Sequence, residues 1–121
     1  MSLYKKLLHI KSMYESILDI TIKFANEFNV EISEDVFKNR ASILSQIESE
    51  EKQLKQLYGD LFRSKHPDIV DEIVNRINSI ISVDKKISER FKEKMVTVKL
   101  ELSGLFKNSR AAAAYSVQRK C

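Results

Sequence analysis

The side chains able to do chemistry are few and scattered in this sequence. Its two histidines, His9 and His66, fall on separate segments, and its single cysteine is Cys121. A metal site needs several His, Cys or carboxylate ligands at matched spacings. A nucleophile needs a base within hydrogen-bond reach. Neither histidine has a second His or a Cys beside it, so His66 reads as a solvated loop residue. The Glu-x-x-His pair of di-iron bundles is absent. Carboxylates are plentiful, but runs such as Glu48, Glu50 and Glu51 suit a solvated helix surface. Asp84, alone in an apolar row, is expected to serve as a structural partner for Lys or Ser. The two glycines, Gly59 and Gly104, lie too far apart for a Gly-rich phosphate loop. The sequence therefore predicts no enzyme, with no catalytic, cofactor-binding or metal-ligating residue.

Charge is the next source of function. The chain of 121 residues carries a formal +4. Residues 1–84 hold 11 Lys+Arg against 14 Asp+Glu, and residues 85–121 hold 10 against 3. A near-neutral, slightly acidic body is thus joined to a segment of net +7. Lys85, Lys86, Arg90, Lys92, Lys94 and Lys99 would neutralise phosphates if they shared a face. Helical spacing spreads them around the axis, and Glu89, Glu93 and Glu101 interrupt them. No aromatic platform for stacking bases accompanies them. Nucleic acid is not the expected partner.

Protein contact is. Val98, Leu102, Leu105 and Phe106 continue an apolar stripe into the basic segment. Ala111 to Ala114 then give high helix propensity with little bulk. Tyr115 follows as an isolated large aromatic, of the kind that anchors in a partner's pocket. The partner-binding residues expected from the sequence are Val98, Leu102, Leu105, Phe106 and Tyr115.

Long helices must carry these residues. Two Gly and one Pro in 121 residues leave too little turn chemistry for a sandwich or barrel. The expectation is an all-α fold: a single domain, residues 1–121, built as an antiparallel three-helix bundle with helices at roughly 2–29, 34–63 and 68–119. The first stripe runs Leu3, Leu7, Ile10, Tyr14, Ile17, Thr21, Phe24, Phe28, in steps of four and three. Leu8, Met13, Leu18 and Ile20 widen it. Val30-Glu31-Ile32 reads as an extended link, and Ser33 as the N-cap of the second helix. The second seam is Phe37, Arg40, Leu44, Ile47, Glu51, Leu54, Tyr58 and Leu61. Its Arg40 and Glu51 are expected to snorkel from the edge of a modest groove, or to fix register with a partner. Gly59 ends or loosens this helix, and Pro67 suits the first turn of the next.

The third stripe continues from Ile69 through Ile73, Ile77, Ile80, Asp84, Ile87, Phe91, Met95, Val98, Leu102 and Leu105. A continuous helix to Arg119 would span about 75 Å, against about 40–45 Å for the first two. Residues from about 98 to 121 would then project, fold back or pack on another chain. No apolar run reaches the roughly 18–20 residues that span a bilayer, and no signal peptide is evident after Lys5 and Lys6. A cytoplasmic protein without membrane insertion is expected. One architecture consistent with the Ile-rich 3.5-residue spacing is a homodimeric bundle or coiled-coil adaptor, with the third helix paired to its copy.

The layout resembles the small flagellar type III export chaperones of the FlgN and FliT type. Ile80-Ile81-Ser82-Val83-Asp84-Lys85-Lys86-Ile87 is similar to that family's aliphatic–Asp–aliphatic stretch. Leu100-Glu101-Leu102-Ser103-Gly104-Leu105, then Arg110, four alanines and Tyr115, resembles its ending. Ser109 stands where the family usually carries Gly. The resemblance implies a cytoplasmic chaperone that binds amphipathic helices of a hook-associated or filament-cap subunit and prevents premature assembly. It also implies export-gate docking through Tyr115.

Overall fold

The computed structural model describes residues 2–101, with side chains through residue 94. These residues form three helices: α1 (Leu3–Glu27), α2 (Ser33–Tyr58) and α3 (Pro67–Glu101). Two 3₁₀ segments, Val30–Ile32 and Asp60–Ser64, make the connections. The described residues contain no strand, so the fold is an all-α helical bundle. One unit of the chain ends at Ile80 and a second begins at Ile81, within α3.

Each helix boundary has a local cause. Ser2 caps α1: its Oγ accepts a hydrogen bond from the Lys5 N–H at 3.2 Å, satisfying one donor that the first turn leaves open. At the other end Phe28 takes a left-handed conformation, φ 39° and ψ 61°. Glycine is the usual choice there. Phe28 holds it because its ring is buried, 5.6 Å from the Phe24 ring centre, while its N–H donates to the Phe24 carbonyl at 2.7 Å.

The link that follows is a 3₁₀ turn rather than an extended strand. Asn29 Oδ1 accepts from the Glu31 N–H at 3.0 Å and so starts the turn. Ser33 consequently becomes the first residue of α2 and not its cap. Its hydroxyl points back and donates to the Val30 carbonyl at 2.7 Å. Ile32 holds the capping position without a side-chain bond, and Glu34 and Asp35 supply acid to the first turn. Pro67 opens α3, where its missing N–H costs nothing.

The hydrophobic core of the first unit draws on its three helical stretches and the second 3₁₀ segment. Leu3, Leu7, Ile10, Met13 and Ile17 of α1 meet Ile47 and Leu54 of α2. Phe62 of the second 3₁₀ segment joins them, with Ile69, Ile73 and Ile80 of α3. Leu7, Ile17, Ile47 and Leu54 are almost completely enclosed, each contributing about 1.5–3 kcal/mol by leaving water. Thr21 is fully enclosed as well. Its hydroxyl donates to the Ile17 carbonyl at 2.6 Å, one turn back in its own helix.

Contacts along α1 set its alignment. Phe24 meets Phe37 of α2 edge-on, with ring centres 5.7 Å apart. Lys11 Nζ lies 2.9 Å from Glu72, and Arg76 Nε lies 3.7 Å from Glu15. These last two pairs climb α1 and α3 together, so the two helices run in the same direction through residue 80.

The stripe of α1 follows its expected spacing except at one step. Met13 is the buried residue and Tyr14 is half-buried, the reverse of the expected order. Leu8 is 38% exposed instead of widening the core.

Candidate functional site

The part of the first unit that presents unusual chemistry is the corner where α2 ends. Gly59 adopts φ 76° and ψ −173°, a region that side-chain-bearing residues essentially never enter. Its N–H donates to the Lys55 carbonyl at 2.8 Å and closes the helix. The next turn is 3₁₀, with three residues per turn rather than 3.6. That change of period, together with the Gly59 backbone, resets which residues face inward. Phe62 becomes buried. Leu61, expected in the seam, is 69% exposed, and Leu57 is 67% exposed. Tyr58 lies partly open between them.

Two ion pairs brace the corner. Lys55 Nζ is 3.3 Å from Asp60, and Arg63 Nη2 donates to Glu51 Oε2 at 3.0 Å. The Arg63 guanidinium carbon also lies 5.0 Å from the Phe62 ring centre. Glu51 is therefore not a snorkelling seam residue: it ties the 3₁₀ segment to α2. A shallow, open depression of about 530 Å³ sits beside the corner, lined by Glu51, Lys52, Lys55, Asp60, Phe62 and Arg63. Four of its five charged residues are paired with each other. Its shape and lining do not converge polar groups on one point, as a small-molecule site does. The outward Leu57, Tyr58 and Leu61 offer instead the apolar side chains that protein contacts use.

Other polar groups in the first unit serve structure. Burial pushes the half-buried Tyr14 hydroxyl above its ordinary pKa, and the nearby Glu51 and Glu48 charges push it the same way, against Arg63. The hydrogen bond from Lys11 holds the Glu72 carboxyl below the usual carboxylate range, and the same bond raises Lys11. His66 is partly buried rather than fully solvated; its ring meets Tyr4 edge-on at 5.4 Å. Arg40 is buried, not at a groove edge, with its guanidinium carbon 5.8 Å from the Phe37 ring centre. Leu44 is 37% exposed, because the inward line of α2 runs Arg40, Ile47 and Leu54 at strict seven-residue spacing.

In the second unit, Asp84 and Ser88 are buried one turn apart on α3, at 5% and 3% exposure, beside Ile87 at 1%. Lys85, Lys86, Arg90, Lys92 and Lys94 are all exposed. Among the partner-binding residues expected from the sequence, Val98 lies on α3, beyond the described side chains. Leu102, Leu105, Phe106 and Tyr115 lie outside the described residues.

Among the described residues, no group of three or more His, Cys, Asp or Glu is placed to hold a metal ion. No described helix is long and apolar enough to cross a membrane. The exposure of Leu61 was missed by sequence reasoning, which carried one seam through Gly59. A glycine inside a helical pattern was the available signal, since it marks where the phase can change. Comparison with protein families, with curated proteins and with solved structures finds no match to this chain.

Proposed function

We propose that this protein is a binding protein without turnover, an export chaperone of the FlgN and FliT type. In this reading it holds the amphipathic helix of a hook-associated or filament-cap subunit in the cytoplasm and prevents premature assembly. The observation that supports it is the length of α3, 35 residues against 25 and 26 for α1 and α2. The apolar sequence pattern of that helix runs on through Val98, Leu102, Leu105 and Phe106 into a basic stretch. Such a stripe suits recognition of a client helix through apolar anchors three and four residues apart. Tyr115 serves in the same reading as the contact to the export gate.

Burial weighs against the alternative, a homodimer paired through the Ile-rich seam of α3. Ile69, Ile73, Ile80 and Ile87 are already between 1% and 9% exposed within one chain. Those four side chains have little apolar surface left to offer a copy.

The test is a pull-down of the full chain with a helical segment of a hook-associated or cap subunit. Leu105→Asp should cut capture at least tenfold while the far-UV circular dichroism stays that of the parent. Tyr115→Ala should retain the client and lose binding to the export gate. Client capture unchanged by Leu105→Asp would refute the proposal.

A further inference from the structure

We draw no further inference here: the strongest candidate, the exposed apolar corner of Leu57, Tyr58 and Leu61 where α2 meets the second 3₁₀ segment, carries nothing because nothing in the structure shows what covers it.

Discussion

Replacing Gly59 tests the geometry of the corner directly. At φ 76° and ψ −173° the backbone occupies a region reserved for glycine. A Cβ built on Gly59 would meet nothing within 4 Å. Steric clash with neighbours therefore contributes nothing, and the cost of Gly59→Ala is the backbone conformation alone, about 1–3 kcal/mol. Alanine also restricts the unfolded chain, which returns about 0.4–1 kcal/mol. The net expectation is a loss of about 1–2 kcal/mol. With a urea slope of about 1–3 kcal/mol per molar, the midpoint should fall by about 0.3–2 M. Urea titration followed by far-UV circular dichroism reads this directly, and an unchanged slope would show that only stability moved. Gly59→Asn is the sharper variant. Asparagine tolerates the left-handed helical region, where ψ is near +50°, but not a ψ of −173°. It should cost as much as alanine. An alanine variant as stable as the parent, or an asparagine variant that restores parental stability, would refute the reasoning.

Three further outcomes follow from the packing. Phe62→Ala should destabilise by about 3–5 kcal/mol, as core aromatics do, whereas Leu61→Ser should stay within about 0.5 kcal/mol; urea midpoints of the two compare inward with outward directly. Thr21→Val should be neutral or stabilising and Thr21→Ser destabilising by about 1 kcal/mol, because the Ile17 carbonyl lies inside the helix ladder and only the methyl is needed; thermal melts check the order. The Lys11–Glu72 pair should stabilise the fold at neutral pH. The depressed Glu72 pKa means that its share is present above the unfolded carboxylate range and fades as pH falls through the folded value. The raised Lys11 pKa means that its share persists below the unfolded lysine range and fades as pH rises through the folded one. Glu72→Gln should flatten both limbs of a stability–pH profile while leaving the spectrum unchanged.

Much of the architecture was legible because helical period and turn chemistry are local. The spacing of Leu3, Leu7, Ile10 and Ile17 identifies the inward face of α1 with no knowledge of its neighbours. Pro67 places the start of α3 through its own missing N–H. The reading failed where geometry depends on more than one residue's preference. Ser33 is a good N-cap by type, yet Asn29 begins the turn earlier and takes Ser33 into the helix. Leu61 fits the seam only if the helical phase persists through Gly59. Arg40 stands in the seam as expected, but its burial beside the Phe37 ring in place of snorkelling depends on neighbours that the spacing alone does not specify. The expected partner-binding residues Val98, Leu102, Leu105, Phe106 and Tyr115 were read from sequence type and spacing, and the described side chains end before them.

The core cluster joins Leu3 at one extreme to Ile80 at the other. Its assembly is therefore governed by the order in which the chain is made. Leu7, Ile10 and Ile17 are synthesised early, but Phe62, Ile69, Ile73 and Ile80 arrive many residues later. A nascent chain holding only α1 and α2 has an apolar face that lacks the cover of Phe62, Ile69, Ile73 and Ile80. Such transient faces are what aggregate and what holdases recognise. Synthesis pausing before residue 80 would prolong that exposure, while pausing after it would not. The helices form locally and fast, but this unit is committed to fold late, when α3 emerges to close it.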